Sequence, residues 1–560
     1  MDENADVTHV VWREWSDAAF EEATSDDQPV LLALVTRWSE ECHEMDATTY
    51  AEPQIAANVN DGFVPVRVDA DRYPHVRERY NMGGFPSTVF LTPEGKILTG
   101  ATLLGPDGFR QILDGVRQTW DETGEAAGSV PRALREEPPH GTVDARIEEH
   151  MVEQLLATFD SEYGGWGTDV KFPLPRTVEF ALVRAREQAL RTLEAIRTHL
   201  VDTYDGGFYR FSRTRNWGGV RREKLADDNA ALVRAFAHGY RYTGDEAYRE
   251  AAEQAIEFLT TTLWTGERRS EGGQSRSGPA FAASQGGDES YFRLEPTDRE
   301  DSDAPAVDET VLAGHNGLCI DALLRYHAYT DDDAPRQYAR QARETVVEEL
   351  VDEDGRVTRY RDGEEVGPQG LLVDQARLLR ALTTSWSVLG EPEPALDVAD
   401  WTLDNLQTDS GAFHDGATGS AGLLSRPLYP LDTAVELADA LLDLALLTGE
   451  KRYREGAHGA VSAFAGAAER MGIEVAHYAT VTARLRTPQV VEVGTPPGAD
   501  LHRAALRLAD HETVVAPRPV ESSATTRALP DGEARLVVDG TEQGRADTPA
   551  ALERVLTNTS

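Results

Sequence analysis

Four polar pairs stand at the start of apolar, helix-like segments in the middle of the chain. The pairs are Asp228-Asn229, His315-Asn316, Asp374-Gln375 and Asp432-Thr433. Asp, Asn and Thr are common at helix N-caps, so simple capping is one interpretation. If the helices share one core, these side chains should instead gather near one end of it as a polar site. His315 suits capping least, so it is the better candidate for acid–base chemistry.

The four segments repeat one helical pattern. The aligned positions are Asn229, Asn316, Gln375 and Ala434, in steps of 87, 59 and 59 residues. Apolar residues follow three, four and seven positions after each of them, which is typical of one buried helix face. Fifteen residues further on stand Gly244, Asp331, Gly390 and Gly449. Glycine just past the last periodic residue indicates the end of a helix.

The same alternation extends over residues 144–487 and predicts six helical hairpins. Inner helices are expected near 176–186, 226–243, 308–329, 370–389, 431–448 and 475–486. Outer helices are expected near 145–159, 188–203, 246–263, 334–350, 394–407 and 450–470. Gly-aromatic loops follow most outer helices, one of them carrying Trp166. Hairpins that cannot bury an apolar face alone should close into a ring, an (α/α)6 toroid, with 265–306 as a long loop over one mouth.

The composition is strongly acidic. The net charge is −42, with 97 Asp plus Glu against 55 Lys plus Arg, and four of these cations are Lys. Dispersed acid suits a salt-rich cytoplasm, where molar salt screens self-repulsion. We therefore expect a halophile's cytoplasmic protein, with neither nucleic acid nor membrane as a partner. The N-terminus shows no leader pattern, and no apolar run is long enough to span a membrane.

The first 120 residues predict a thioredoxin-like order of elements. Strands are expected at 29–35, 62–68, 87–91 and 96–98, and helices after Ser39 and at 107–120. Residues 121–143 are interpreted as a linker. Strands near 490–494, 514–517 and 535–540, with helices at 499–509 and 547–557, predict a small α/β tail over 488–560. The domains are thus 1–120, 121–143, 144–487 and 488–560.

The cysteines limit redox chemistry. Dithiol exchange needs an attacking thiolate and a resolving thiol, but only Cys42 and Cys319 are present. Glu40 and Glu41 are expected to raise the pKa of Cys42. A structural Cys42 and a monothiol role both remain open, whereas Cys319 occupies a core column of the repeat. No Cys/His spacing suits zinc and no Gly-rich phosphate loop follows a strand, so neither a metal nor a cofactor is expected.

Several N-terminal residues form a familiar pattern. They are Trp15, Phe20, Cys42-His43-Glu44-Met45-Asp46, Val64–Asp71 and Gly83–Gly95. They resemble the thioredoxin-like domain of the spermatogenesis-associated protein 20 family. In that family Cys-x-x-Cys-His opens the helix after the first long strand, so Ser39 stands where the attacking cysteine is expected. By the same resemblance, Pro86 matches the cis-proline beside the motif.

The resemblance continues through the ring. It rests on Gly207–Ser212, Trp217, Glu223-Lys224-Leu225, Asp228-Asn229-Ala230, Phe281–Gln285 and Asn316-Gly317-Leu318. It implies a toroid akin to those of six-hairpin glycosidases and sugar epimerases. Two family histidines are replaced, since Tyr209 and Arg221 stand at their positions. Lys171 and Lys224 match family motifs, which suggests that a compact ammonium is needed where Arg is otherwise used.

These observations give one interpretation of the site. The catalytic candidates are Glu223, Asp228 and His315. The ligand-binding candidates are Trp166, Lys171, Tyr209, Arg210, Trp217, Lys224, Asn229, Asn316, Asp374, Gln375 and Asp432. The positions matching the thioredoxin motif are Ser39, Cys42, His43 and Pro86.

The favoured function is binding of a carbohydrate-like, polyhydroxyl ligand in the ring, with epimerase- or glycosidase-like chemistry as one option and no catalysis as another. The N-terminal domain is expected to lack dithiol activity. Two alternatives are a thiol-dependent oxidoreductase or redox chaperone using Cys42, and a protein-binding scaffold. The sequence does not indicate an oligomeric state.

Overall fold

The protein has a thioredoxin-like N-terminal fold, an (α/α)6 toroid and a small C-terminal α/β tail. The structure, a computed structural model, describes residues 8–266, 278–362, 365–517 and 529–558. The predicted loop over 265–306 therefore lies partly outside the described residues. Within the described ranges, no helix combines the length and the apolar character that crossing a membrane requires.

A four-stranded sheet forms the centre of the N-terminal domain. Its strands are β1 (Val30–Val35), β2 (Val64–Asp69), β3 (Ser87–Leu91) and β4 (Ile97–Ala101), in the order β2-β1-β3-β4. β1 is parallel to β2 and antiparallel to β3, which places Leu32 between Val66 and Val89. Alternate residues of β1 enter two hydrophobic clusters, one on each face, so β1 is buried throughout.

Helices cover both faces of this sheet. They are Asp17–Asp26, Glu40–Thr48, Pro53–Gly62, Pro74–Tyr80 and Pro106–Thr123. The predicted strands and the helices after Ser39 and near 107–120 are confirmed. The other three helices were not predicted, because segments of seven to ten residues show too few turns for a clear period.

The ring consists of alternating outer and inner helices. The outer helices are Ala145–Ala157, Arg186–His199, Glu246–Thr261, Asp333–Leu350, Ala395–Leu406 and Lys451–Ser462. The inner helices are Pro175–Arg184, Ala226–Thr243, Ala313–Thr330, Leu372–Leu389, Leu431–Thr448 and Ala476–Arg486. All twelve predicted helices are present. The residues expected to end the four repeated helices all adopt the left-handed conformation, with φ between 59° and 77°: Gly244, Asp331, Gly390 and Gly449.

Short strands link the loops at the mouth of the ring that faces the N-terminal domain. They are Phe211–Ser212, Val220–Arg221, Lys224–Leu225, Ser284–Gln285, Val307–Asp308, Val311–Leu312, Tyr360–Asp362 and Glu365–Val366. Two short helices, Glu289–Phe292 and Pro296–Arg299, lie in the long loop.

The aligned amide side chains hold these loops to the inner helices. The side-chain oxygen of Asn229 accepts a hydrogen bond from the main-chain N–H of Phe208 at 2.7 Å. Asn316 makes the same contact with Phe281 at 2.8 Å, and Gln375 with Val357 at 2.6 Å. We call these three residues the amide clamps. They are neither N-caps nor ligand contacts, because their side chains are fully buried against their own chain.

A belt of alternating charges crosses the interior of the ring. It takes one residue from each of the six inner helices described above: Glu179, Arg234, Asp321, Arg380, Asp439 and Arg484. Arg234 lies 2.6 Å from both Glu179 and Asp321, measured between nitrogen and carboxylate oxygen. Arg380 lies 3.7 Å from Asp321 and 2.9 Å from Asp439, which also pairs with Arg484. Burial raises the pKa of Glu179 to about 7.

The C-terminal tail is a second small sheet with two helices. Its strands are Gln489–Val493, Val514–Pro517, Ala534–Val538 and Thr541–Ala546, and its helices are Asp500–Leu508 and Pro549–Thr557. The predicted elements are confirmed, and the strand Thr541–Ala546 is additional. The tail packs on the other end of the ring, where His502 bonds the main-chain oxygen of Ser387 at 2.9 Å.

Candidate functional site

A cavity of about 510 Å³ lies between the N-terminal domain and the mouth of the ring. The ring contributes Arg210, Leu225, Asp227, Asp228, Ala283, His315, Arg359, Val373, Arg377, Pro430, Leu431, Asp432, Thr433 and Val475. The N-terminal domain contributes Trp38, Asp71, Pro74, Arg77, Glu78 and Phe85. Five carboxyl groups and four guanidinium groups therefore surround one space, whose size is typical of small-molecule sites.

Asp227, Asp228 and His315 form an ionisable group in the cavity wall. His315 Nε2 lies 3.6 Å from the Oδ2 of Asp227, and its buried Nδ1 has no hydrogen-bond partner among the described residues. Burial, together with the negative charge of Asp227, raises the pKa of Asp228 to about 7. Burial also lowers the pKa of His315 to about 4. Near neutral pH this wall thus holds a neutral imidazole and a carboxyl group whose pKa lies close to neutral.

Asp227 is the ionised member of this group. Burial disfavours its charged form, but Arg377, 3.7 Å away, and His315 when protonated outweigh burial and leave the pKa of Asp227 lowered. Arg377 is itself held by Glu436 of the next inner helix at 3.0 Å. Two adjacent carboxyl groups with pKa values displaced in opposite directions are a typical acid–base arrangement.

Asp374 and Asp432 occupy different depths. Asp374 is fully buried behind the wall, where it accepts hydrogen bonds from Arg359 at 2.7 Å and from the main-chain N–H of Gly314 at 3.0 Å. Asp432 lines the cavity, and burial raises its pKa. Asp374 therefore positions Arg359, whereas Asp432 faces the space that a ligand can fill.

Four of the predicted site residues thus line one cavity: Arg210, Asp228, His315 and Asp432. The amide clamps and Asp374 lie directly behind its wall. Glu223 does not line it, because Arg221 holds its carboxylate in a buried ion pair at 3.0 Å. The catalytic role that the sequence suggests for Glu223 therefore has no counterpart in the cavity wall.

The two buried lysines have structural partners away from the cavity. Lys171 bonds Asp160 at 2.8 Å, and Lys224 bonds Asp202 at 2.7 Å. Both ammonium groups also donate to a main-chain oxygen of a Gly-aromatic loop, that of Gly164 or Gly206. Both ammonium groups are thus buried in ion pairs that hold loops, and neither lysine lines the cavity.

The predicted aromatic residues are structural as well. Trp166 donates its indole N–H to the main-chain oxygen of Leu155 at 3.0 Å. Trp217 donates to Tyr163, also at 3.0 Å. Tyr209 packs against Phe292 of the long loop. These contacts fasten loops to helices, and none of the three residues lines the cavity.

The thioredoxin-motif positions are enclosed. The Phe85–Pro86 peptide is cis, as predicted. Ser39 and Cys42 are each 1% exposed, whereas His43 is exposed. The pKa of the Cys42 thiol is raised to about 11, but the expected cause was wrong: burial dominates, not the charges of Glu40 and Glu41.

Sequence reasoning missed much of the cavity. It did not find Trp38, Asp71 and Phe85, because a wall built by a separate domain leaves no periodic signal. The charged belt did leave one. Five residues after the aligned positions stand Arg234, Asp321, Arg380 and Asp439, which alternate in sign on successive inner helices.

Comparison with known proteins agrees with the sequence pattern. Residues 3–137 match the family model Thioredox_DsbH, described as "Protein of unknown function, DUF255". Over 295 residues the chain is 28% identical to human spermatogenesis-associated protein 20, and the rat protein is 27% identical over the same length. The resemblance to the spermatogenesis-associated protein 20 family is confirmed. The alignment covers 45% of this chain but only 37% of the human spermatogenesis-associated protein 20, so the activity of the whole relative cannot be carried over.

Solved structures with a similar ring include two epimerases. A sugar epimerase from a ruminal bacterium is 14% identical, with a TM-score of 0.45, and the alignment covers 56% of this chain and 85% of that one. The cellobiose 2-epimerase of Spirochaeta thermophila is 17% identical, with a TM-score of 0.43, and covers 57% and 82%.

Proposed function

We propose that the chain binds a neutral polyhydroxyl ligand of sugar-like size in the cavity and exchanges a proton with it. Asp228 is the proton-transferring residue, His315 assists as a neutral imidazole, and Asp227 remains ionised beside them. The observation that carries the proposal is the pair Asp227 and Asp228 in the cavity wall, with the pKa of Asp228 raised to about 7.

A carboxyl group with such a pKa is present in both forms at neutral pH. General acid–base catalysis is most efficient when the catalytic pKa lies near the working pH. Asp228 can therefore take a proton from a carbon next to a sugar carbonyl, or give one to a glycosidic oxygen, without a cofactor. The first reaction is epimerase-like: ionised Asp228 removes the proton to leave an enolate, and the proton then returns from Asp228 to that carbon. We favour it because neutral His315 lies in the same wall, where its imidazole can donate a hydrogen bond to the enolate oxygen.

The ligand class follows from the polarity of the wall. Carboxylates accept and guanidinium groups donate hydrogen bonds, so both functions of a hydroxyl group find partners. With five carboxyl groups against four guanidinium groups, the wall offers an anionic ligand no excess of positive charge. A neutral sugar fits both conditions.

The N-terminal domain, in this proposal, carries out no dithiol exchange. One enclosed thiol with a raised pKa and Ser39 at the position of the attacking cysteine support this view. We further propose, from the dispersed acidic composition, that the chain works in a salt-rich cytoplasm. The domain boundaries near 120, 143 and 487 remain predictions.

Proton exchange with sugars tests the proposal. The chain is incubated in D2O with molar KCl and D-glucose, D-mannose or cellobiose, and 1H NMR follows loss of the C2 proton and appearance of the C2 epimer. Binding is measured in parallel by saturation transfer and thermal shift. We expect exchange with at least one sugar, lowered about 10²–10⁴-fold by Asp228→Asn.

The matched control is Asp107→Asn, because the side chain of Asp107 is 94% exposed and does not line the cavity. It should exchange as the unaltered chain does. Binding without exchange would remove the catalytic part of the proposal. Absence of both binding and exchange with every sugar would overturn it.

A further inference from the structure

The N-terminal domain presents an ordered polar group to the ring. Asp71 follows the sheet strand β2 and lines the cavity. The indole N–H of Trp38 donates to its Oδ2 at 2.8 Å, and no described residue donates to its Oδ1. The carboxylate is therefore fixed in orientation, with one oxygen left to accept a hydrogen bond from the cavity.

The ring holds Asp71 from the opposite side. Arg359 donates two hydrogen bonds to the main-chain oxygen of Asp71, at 3.0 and 2.7 Å. Arg359 is anchored in turn by the buried Asp374. A carboxylate fastened through its backbone to the neighbouring domain loses little further freedom when a ligand binds, which favours affinity.

Trp38 and Phe85 complete an aromatic corner beside this carboxylate. Their rings meet edge to face with centroids 5.9 Å apart. Arg210 of the ring lies over the Trp38 indole, 4.4 Å from its centroid. One side of Trp38 is thus covered by a cation of the other domain, and Phe85, which is partly exposed, is the ring that a ligand can reach.

We propose that Asp71 and Phe85 of the N-terminal domain contact the ligand that the toroid holds, so that the binding site is shared by both domains. Asp71 accepts a hydroxyl hydrogen through Oδ1, and the Phe85 ring packs against the C–H face of the sugar. This inference rests on the proposed function and adds a role for the N-terminal domain other than thiol chemistry: it sets which sugar is bound.

Trp38 and Phe85 lie on the face of the N-terminal domain that carries the thioredoxin-motif positions. Trp38 directly precedes Ser39, and Phe85 directly precedes the cis-proline Pro86. The surface on which a thioredoxin-like domain would carry its reactive thiol is therefore turned into the cavity. The main-chain oxygen of Trp38 also accepts a hydrogen bond from Gly287 of the long loop at 3.3 Å.

The test compares single variants of the full chain. Asp71→Asn keeps the backbone oxygen that Arg359 uses and an oxygen for the Trp38 indole, so folding should be preserved. Phe85→Leu is a second, independent variant that keeps apolar bulk. Dissociation constants for D-glucose, D-mannose and cellobiose are measured in molar KCl by titration calorimetry and saturation transfer. We expect each variant to weaken binding at least tenfold, with a melting temperature close to that of the unaltered chain.

Glu365→Gln is the matched control, because Glu365 pairs with Arg72 across the same domain interface at 3.0 Å without lining the cavity. It should leave affinity unchanged. Normal sugar binding by Asp71→Asn and Phe85→Leu would overturn the shared site and leave the proposed function intact. Failure of the unaltered chain to bind any of the three sugars would overturn both.

Discussion

Arg359 of the ring joins two carboxyl residues. Its Nε and Nη2 donate to the main-chain oxygen of Asp71 in the N-terminal domain, and its Nη1 donates to the buried carboxylate of Asp374. Removing the guanidinium leaves Asp374, which is fully buried, without its countercharge. We expect Arg359→Met to cost about 3–5 kcal/mol of stability, the usual effect of breaking a buried ion pair. The melting temperature in molar KCl measures the loss.

The double variant Arg359→Met/Asp374→Asn should recover part of this stability, because a neutral amide no longer needs the cation. A single variant as stable as the unaltered chain would show that Asp374 is already protonated or hydrated.

Asp228 makes stability depend on pH in a defined direction. Its pKa in the folded chain, about 7, lies above its ordinary value of 3.8, so the folded state binds the proton more tightly. The associated stabilisation is complete below pH 3.8 and is lost as the pH rises through 7. We expect the melting temperature of the unaltered chain, relative to that of Asp228→Asn, to fall between pH 4 and 7 and to level off above that. Parallel curves would contradict a raised pKa at this position.

The charged belt predicts unequal costs for two aspartate substitutions. Asp321 is 1% exposed and lies between Arg234 and Arg380, so Asp321→Asn leaves two buried guanidinium groups short of a carboxylate. A loss of about 3–5 kcal/mol is expected. Asp400 pairs with Arg452 at the surface, where both side chains are more than 40% exposed, and Asp400→Asn should cost at most about 1 kcal/mol. Equal melting temperatures for the two variants would refute a stabilising belt.

The buried lysines should not tolerate arginine. Lys171 and Lys224 are 0% exposed and already fill their sites, so the larger guanidinium forces neighbouring groups apart. We expect Lys171→Arg and Lys224→Arg each to cost about 1–3 kcal/mol, as overpacking does. Lys451→Arg, at an exposed helix start, serves as the control and should leave the melting temperature unchanged. If the Lys224→Arg variant folds but binds sugar more weakly than the unaltered chain, Lys224 contributes to ligand binding after all.

Cys42 should react slowly in the folded protein. With a pKa of about 11, roughly one thiol in a thousand is ionised at pH 8, and the side chain is 1% exposed. We expect iodoacetamide to label Cys42 only after denaturation, as judged by peptide mass spectrometry. In a Glu44→Cys variant the new thiol lies on the exposed side of the same helix and should be labelled within minutes. Rapid native labelling of Cys42, together with insulin reduction that Cys42→Ser abolishes, would support the redox alternative.

The ring was predictable from sequence because its helices obey one period. Inner helices 226–243 and 431–448 were predicted to the residue, since each carries a full apolar face and a glycine stop. The same alignment predicted that Asp228 and His315 lie near one end of the ring, and both line the cavity there. Asp71 and Arg359 did not, because their contact spans 288 residues and depends on how two domains dock. Asp227 stood beside Asp228 as an acidic doublet, a signal that the repeat alignment did not use.

The amide clamps also fix the rotation of each inner helix about its own axis. Each clamp points towards the loop before its helix. Because successive residues of an α-helix are about 100° apart around the axis, the residue just before a clamp points in another direction. Asp228 and His315 occupy that preceding position and border the cavity, whereas Asp374, which precedes the third clamp Gln375, is buried behind the wall and positions Arg359. At positions 228 and 315 a side chain can therefore change the chemistry of the cavity while the neighbouring amide keeps the loop and the helix together.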